Sequence, residues 1–404
     1  MPSETTTAAG PLADLRVVEM GQLLAGPFCG QLLGDFGAEV IKLESPGSGD
    51  PMRQWGREQA QGKSLWWPVV ARNKKSVTCN LRDPRGQRLA RALIAEADIV
   101  IENFRPGTME RWGLGYDVLR ELNPGLIMVR VSGYGQTGPY APRAGYGSIG
   151  EAMGGIRYTT GDPDRAPART GISLGDSLAA VFATIGTLVA VHHRTRTGQG
   201  QLVDSAIYEA VLAMMESLLP EYAITGYQRE RTGSVLPNVA PSNVYPTASG
   251  DMILIAANQD TVFARLTELM GRPELATDER YANHTARGAR MGELDDLIAA
   301  WTSTVAPETL LDRLHTAGVP AGRIYTARDM FADPHFAARE AIVRITHPEL
   351  GDLPMHNVVP KLSATPGAIR HAGPDLGQHN AEVYGTLLGL GARELAELAE
   401  SGVV

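Results

Sequence analysis

Two short apolar runs near the N-terminus, RVVEM at 16–20 and AEVIKL at 38–43, constrain the fold of this chain more than any other feature. Between them lie the loop GQLLAG and a helical stretch with Pro27 in its first turn and Gly37 at its close. Proline near the start and glycine just past the end are the usual punctuation of a helix. Strand, helix and strand in that order predict a parallel crossover unit. The alternation then continues. SVTCNL at 76–81 reads as a strand, a helix runs from Asp83 and Pro84 to about Glu96, and DIVIEN at 98–103 is the next strand. A helix near 116–122 leads to LIMVRVS at 126–132. Such a series predicts an α/β fold built on a doubly wound, Rossmann-like sheet. Ligands of these sheets lie beyond the carboxyl ends of the strands, which singles out the loops at 21–26, 103–107 and 133–147.

A chain of 404 residues, 43% hydrophobic and 20% charged, has room for two domains and a large core. Its net charge of −8 argues against nucleic acid or an anionic membrane as main partner, because both call for a basic face. Cys29 and Cys79 sit in apolar segments without metal-like spacing and read as core thiols of a reducing compartment. The opening MPSETTTAAGP lacks the basic and apolar regions of a signal peptide, and no run approaches eighteen apolar residues. A cytoplasmic protein without a membrane span is therefore expected. After QLVDSA and a helix holding Met214 and Met215, residues 224–246 are rich in Gly, Pro, Asn and Ser and read as a linker or mobile loop. A second, mainly helical unit starts near 250, with helices predicted at 260–271, 290–303 and 307–317. A strand-rich tail from about 341 leads to a closing helix at 392–400.

The candidate chemistry centres on ARTGISLGDSLAAVFATIGTLVAVHH, residues 168–193, where Asp176 opens an otherwise apolar stretch. From Leu178 to Val191 there is no charge and the large apolar residues fall on every face, so a buried helix is predicted. Asp176 stands where helix caps stand, and capping alone would account for an Asp there. Other sites are set aside in turn. The nine histidines form no HxH, HExxH or Cys/His cluster, no GxSxG elbow appears, and there is no GxxxxGK[ST] loop. No metal site is expected. Two GxGxxG matches occur, at Gly133, Gly135, Gly138 and at Gly145, Gly147, Gly150. The first runs into Pro139 and Pro142 and the second lacks a preceding strand, so both are read as loops lining a cleft and not as nicotinamide or flavin sites. What remains is one acidic candidate and a set of basic residues, Lys42, Arg72, Lys74, Lys75, Arg82, Arg105 and Arg111, with Asn103 and Phe104 at a strand end. Together they suit a phosphorylated, adenine-containing ligand held by charge and stacking.

The blocks LLAGPFCGQLLGDFGAEVIKLESPGSGDPMR, ARNKKSVTCNLRDPRG, IENFRPGTMERWGLGYDVLRELNP and GISLGDS resemble those of the class III (family III) CoA-transferases, the group of formyl-CoA transferase and carnitine CoA-transferase. The likeness runs over essentially the whole chain. It implies an interlocked homodimer whose large CoA-binding α/β domain comprises residues 1–205 and 385–404. A small domain would span 231–355, with linkers at 206–230 and 356–384. It further implies that Asp176 is the catalytic aspartate and Tyr146 an active-site tyrosine. Leu24, Ala25, Arg82, Asn103, Phe104, Arg105 and Arg111 fall at CoA-contacting positions. The family moves CoA from an acyl-CoA to a free carboxylic acid and uses no cofactor beyond CoA itself. A carboxylate nucleophile serves that exchange through anhydride and aspartyl-CoA thioester intermediates, and helix N-terminal amides are expected to steady the oxyanions. The chain departs from formyl-CoA transferase in two places: RTGSVLPNVAPSNVYPT replaces a glycine run, and Ser45 stands where an arginine would contact adenine. The rival reading is α-methylacyl-CoA racemase, which carries a histidine followed by Asp where this chain has Tyr146 and Gly147. A third reading, from outside catalysis, is an acyl-CoA binding protein.

Overall fold

The computed structural model describes residues 10–404. They form two compact units. The first contains the chain up to Arg157, Thr170–Gly226 and Ala338–Val404. The second contains Tyr158–Arg169 and Tyr227–Ala337.

A six-stranded parallel sheet is the frame of the first unit. Its strands are β1 (Arg16–Glu19), β2 (Glu39–Glu44), β3 (Lys74–Thr78), β4 (Ile99–Glu102), β5 (Ile127–Ser132) and β6 (Leu202–Ala206). They lie in the order β3-β2-β1-β4-β5-β6, and every neighbouring pair is parallel. This is the doubly wound order, in which the chain changes direction between β1 and β4 and opens a crevice at their carboxyl ends. The central strands β1, β4 and β5 place apolar residues on both sides, as helices on both faces require. Val17, Ile99, Ile101, Ile127 and Val129 enter one core, while Val18, Val100 and Met128 enter the other. The first face is covered by helix α1 (Ala25–Asp35), and the second by helix α2 (Pro84–Ala95), which Asp83 caps by accepting the Arg85 N–H. The predicted strand at 76–81 begins two residues earlier and ends at Thr78, because Lys74 and Lys75 pair in register with Val40 and Ile41.

The carboxyl end of the chain closes the exposed edge of β3. Asn380 accepts the Thr78 N–H and donates to Thr78 Oγ1, His379 Nδ1 accepts the Ser76 N–H, and Asn80 N–H donates to the Val403 carbonyl. An edge strand supplied with such partners offers no template for another chain. Residues 342–347 and 351–356 form an antiparallel hairpin that groups with the first unit. The sequence reading had placed it in a small domain at 231–355. The segment that reads as a linker, 206–230, contains helices at Ile207–Leu212 and Leu218–Thr225, both within the first unit, while 158–169 joins the second.

Three more helices position the candidate site: α3 (Gly147–Met153), α4 (Leu174–Thr197) and α5 (Ile207–Leu212). The helix read as carrying Met214 and Met215 stops at Leu212, so both methionines fall in the following turns, Met215 buried and Met214 exposed. α4 also departs from its reading as an all-round buried helix. Its buried residues are small, namely Gly175, Ala179, Ala180, Ala183, Thr187 and Ala190, and several of its large ones face outward. Ile185 is 52% and Val189 61% exposed, and Val181, Phe182 and Leu188 are exposed beside them. By length and composition this helix is long enough to cross a membrane, a property that a count of consecutive apolar residues missed. The small residues allow close backbone approach, and the outward stripe leaves a substantial apolar face.

The second unit is a three-stranded antiparallel sheet, Ala321–Arg323, Met252–Ala256 and Ser242–Pro246, packed on helices at 260–269, 291–302 and 307–316. These helices match the predicted ones within two residues. The loop after Tyr227 is not loose in this unit: Tyr158 takes a hydrogen bond from Gln228 Nε2 at 2.7 Å, donates to Glu230 at 2.6 Å, and lies under the Arg231 guanidinium.

Helix α3 meets α5 through two glycines one turn apart. A Cβ on Gly150 would lie 2.4 Å from Ile207 Cγ2, and one on Gly154 would lie 2.6 Å from Val211. Gly150→Ala is therefore expected to lower stability by about 1–3 kcal/mol through overpacking, read as a shift of the urea midpoint.

Candidate active site

Asp176 is the third residue of α4, not its cap. The N-cap is Ser173, which makes no side-chain capping bond. The first turn brings Asp176, half-buried, against the start of α3. A Cβ on Gly147 would stand 2.4 Å from Asp176 Oδ2 and 2.7 Å from its Cγ, so the carboxylate occupies the space that any other residue would fill. Gly175 completes the close approach: its missing side chain faces the Gly147 carbonyl and Ile207. A buried carboxylate absent from the sequence reading lies here as well. Glu151, 1% exposed, accepts the Gly175 N–H at 3.2 Å and pairs with Arg157 at 2.7 Å. The Gly175 amide is thus engaged within the protein, which removes one of the helix amides expected to steady an oxyanion. The one sequence signal was a single acid in an otherwise small and apolar helix, GSIGEAM. Tyr146 is the N-cap residue of α3 and its side chain stands 67% exposed, one residue from the Asp176 contact.

Neither glycine string is a phosphate cradle. Gly133 and Gly145 let two backbones cross, each Cβ position lying 2.8 Å from the other's Cα. Gly135 and Gly138 both turn with φ of +84°. Gly147 makes room for Asp176 and Gly150 for Ile207.

At the crevice between β1 and β4, the loop after β1 is held from two sides. From β4 comes Asn103, whose Oδ1 accepts the Gln22 N–H and whose Nδ2 donates to the Gln22 carbonyl, both at 2.8 Å. Gly21 admits that amide, since its Cβ would meet Asn103 Oδ1 at 3.0 Å. From beneath, Lys42 donates to the Gly21 carbonyl and pairs with Glu19 and Asp50, each at 2.8 Å. Asp50 in turn accepts the amides of Leu23 and Met52. Leu23 has φ of +64°, a conformation that costs a branched residue energy and needs such support. Burial alone would lower the Lys42 pKa, but Asp50, Glu19 and Glu44 carry it above the usual lysine value. Beyond this loop Leu24 is half-buried and Ala25 buried as α1 begins.

The basic residues read as surrounding the cleft divide into two groups. Lys42, Arg72 and Lys74 are buried and paired, with Glu19 and Asp50, with Asp35, and with Glu19. Lys75 bridges Glu39 and Glu382. These four are structural. Arg82, Arg105 and Arg111 are exposed, and among the described residues none of them meets a carboxylate at ion-pair distance. Arg82 follows β3, Arg105 follows β4, and Arg111 ends the short helix Thr108–Arg111, where it donates to Thr108 Oγ1. Phe104 packs edge-on against Trp112 with centroids 5.1 Å apart, and its N–H donates to Glu102. Burial pushes Glu102 up to about 7 even though Arg130, 2.6 Å away, pulls it down. Arg130 also reaches Glu110, tying the strand end to the helix that carries Arg111. No group of three or more His, Cys, Asp or Glu side chains suited to a metal occurs among the described residues.

Comparison with known proteins decides the family. The model of CoA-transferase family III matches residues 12–380. The chain belongs to CoA-transferase family III. It is thus a CoA-transferase enzyme, as the sequence blocks implied. It is 62% identical over 394 residues to a protein of Chloroflexus aurantiacus named succinyl-CoA–D-citramalate CoA-transferase, covering 98% of both chains. With a formyl-CoA:oxalate CoA-transferase of Streptomyces coelicolor it shares 34% identity over 98% of this chain and 100% of that one. A crystal structure of a CAIB/BAIF family protein from Brucella suis superposes with a TM-score of 0.83 at 37% identity, covering 94% of this chain and 100% of that chain.

Gly147→Ala tests the berth of the Asp176 carboxylate. The added methyl must displace that carboxylate by an ångström or more, and a misplacement of that size costs about 100-fold in rate. We expect CoA transfer to fall by that order in steady-state assays while the circular dichroism spectrum stays unchanged.

Proposed function

We propose that this enzyme moves CoA from succinyl-CoA to a small dicarboxylic acid of the citramalate type, with Asp176 as covalent nucleophile. The carrying observation is the placement of the Asp176 carboxylate against Gly147, in the first turn of α4 and at the start of α3. The likeness to the Chloroflexus enzyme supports the substrate class.

The exchange balances with one side chain. An Asp176 oxygen attacks the thioester carbonyl and expels CoA thiolate, leaving a mixed anhydride. The thiolate attacks the aspartyl carbonyl, releases the donor acid as its carboxylate and leaves Asp176 joined to CoA as a thioester. The acceptor carboxylate then attacks that carbonyl, expels the thiolate and forms a second anhydride. Attack of the thiolate on the acceptor's acyl carbon gives the new acyl-CoA and restores the Asp176 carboxylate. Steps that consume a carboxylate and expel a thiolate alternate with their reverse, so the scheme calls for no metal or redox group. Arg82, Arg105 and Arg111 are the cations available to the CoA phosphates, and Leu24, Ala25 and Phe104 border the same strand ends. Asn103 serves this site by fixing the loop at Gln22. Tyr146 lines the approach to Asp176. Where a racemase carries its histidine this chain has that tyrosine, and the following glycine admits the nucleophile.

We further propose a cytoplasmic homodimer of the interlocked kind, in which a second copy covers the outward stripe of α4. Ile185, Val189 and their exposed neighbours form an apolar face of the kind a stable interface buries.

Asp176→Ala is expected to abolish transfer while CoA still binds. Incubation of the wild type with succinyl-CoA and hydroxylamine, followed by peptide mass spectrometry, should place a hydroxamate on Asp176 alone. Modification elsewhere, or turnover above about a tenth in the variant, would remove Asp176 from the mechanism. Ile185→Asp places a charge in the proposed interface and is expected to shift the sedimentation coefficient from dimer toward monomer; an unchanged dimer would move the interface off α4.

A further inference from the structure

We infer that Glu151 is a positioning residue for the nucleophile, acting through the backbone of Gly175. The inference rests on the reading of Asp176 as the nucleophile and adds the residue that sets its reach.

Three observations carry it. First, Glu151 is a fully buried acid, 1% exposed, on a helix that is otherwise glycine, alanine, serine and apolar residues. Burying a carboxylate costs free energy unless it is paired and hydrogen-bonded, so its retention there needs a use. Second, both of its oxygens are engaged: Oε1 accepts the amide of Gly175, the residue before Asp176, and Oε2 pairs with Arg157. A bond to residue 175 is a bond to the backbone from which the nucleophile hangs. Third, the contact is built for close approach. Gly175 has no side chain because Glu151 Cγ would lie 3.1 Å from its Cβ and the Gly147 carbonyl 2.9 Å. The same helix α3 therefore grips α4 twice, through Glu151 on the Gly175 amide and through Gly147 beneath the Asp176 carboxylate.

The two grips act along different directions. Gly147 limits how far the carboxylate can sink toward α3, and Glu151 limits how far the first turn of α4 can lift or rotate away. Glu151 restrains the helix start from a neighbouring helix, through the amide of its second residue. Arg157 pairs with the other oxygen of this buried carboxylate. In each cycle Asp176 passes between anion, anhydride and thioester, and a first turn held by a partner outside α4 keeps one geometry through all three states.

The test compares Glu151→Gln, Glu151→Met and Arg157→Gln in the full-length enzyme. Gln keeps an oxygen for the Gly175 amide, and Met fills the same volume without an acceptor. We expect Glu151→Met to lose about 10- to 100-fold in kcat with KM for succinyl-CoA within about twofold, because the fault lies in alignment and not in CoA binding. The Gln variants at both positions are expected to stay within about fivefold of wild type, and the rate of hydroxamate formation on Asp176 to follow kcat across the series. Equal loss in Glu151→Gln and Glu151→Met would assign the effect to charge and overturn the inference. Wild-type kcat in Glu151→Met would overturn it too, as would a Met variant too unstable to purify beside an active Gln variant, which would leave Glu151 a role in stability alone. A wild type that transfers CoA without any Asp176 adduct would instead sink the nucleophile reading itself, so the two failures are distinguishable.

Discussion

One buried ammonium group holds the crevice of this enzyme in shape. Lys42 lies at 1% exposure among Glu19, Asp50 and the Gly21 carbonyl, with contacts of 2.8 Å to all three. Taking such a group out of water is expensive, and its ion pairs roughly offset that cost without adding much stability. What they add is definition. Glu19 and Lys42 are cross-strand neighbours in register on β1 and β2, so the sheet itself sets where the ammonium can be. Asp50 then reaches back to the Leu23 amide and fixes a left-handed residue at the start of α1. Lys74 joins from the next strand through Glu19 and the Pro27 carbonyl. Remove Lys42 and Glu19 keeps Lys74, while the buried Asp50 loses its ion pair.

The seat of Asp176 depends instead on small residues. α4 presents Gly and Ala to the sheet and to α1, which lets a long helix lie close enough for its first turn to meet α3. The large residues displaced from that face have to go somewhere, and they form the outward stripe. The same substitution pattern that seats Asp176 thus creates the apolar surface for which a second copy is the proposed cover. The seat of Asp176 and the proposed assembly are thus linked through the composition of one helix.

Much of this was legible before any coordinates. Strands at 16–20, 98–103 and 126–132 were marked by apolar runs bounded by glycine, proline and caps, and the helix at 392–400 by its period alone. Sheet order was not legible, because periodicity does not say which strands pair. The buried roles of Lys42, Arg72 and Lys74 were hidden for a related reason: a basic residue reads as surface until its partner, here Glu19, Asp50 or Asp35, is brought beside it by tertiary structure. Asp176 stood out because it is the first charge of an apolar run, yet its place within the first turn rather than at the cap depends on where the helix starts, the least certain feature of any sequence reading. The apolar content of α4 suggested burial on all sides. Only the distribution of small against large residues around the helix separates the two faces, since 179, 183, 187 and 190 return to one side at helical spacing. Glu151 carried a signal that was visible but unranked, a lone acid amid small residues. Its partner is a backbone amide in another helix, and sequence holds no trace of that.

The strand order is that of dinucleotide-binding sheets, yet two amides of the loop after β1 are committed to side chains here. In a nucleotide-binding turn, successive N–H groups at the start of the first helix point at the phosphates. In this chain the Gln22 amide donates to Asn103 and the Leu23 amide to Asp50, while Lys42 takes the Gly21 carbonyl. Those amides are engaged from within, and Asn103 clasps the loop across the crevice. Side-chain cations outside the loop are available to an anionic ligand. Arg82, Arg105 and Arg111 stand at the carboxyl ends of β3 and β4 and just beyond, and the cations nearer the sheet are all consumed in ion pairs. Flexible arginines on a rim tolerate a ligand that shifts, whereas a rigid amide nest fixes it. In the proposed scheme CoA leaves as thiolate and attacks twice in one cycle, which suits the first arrangement.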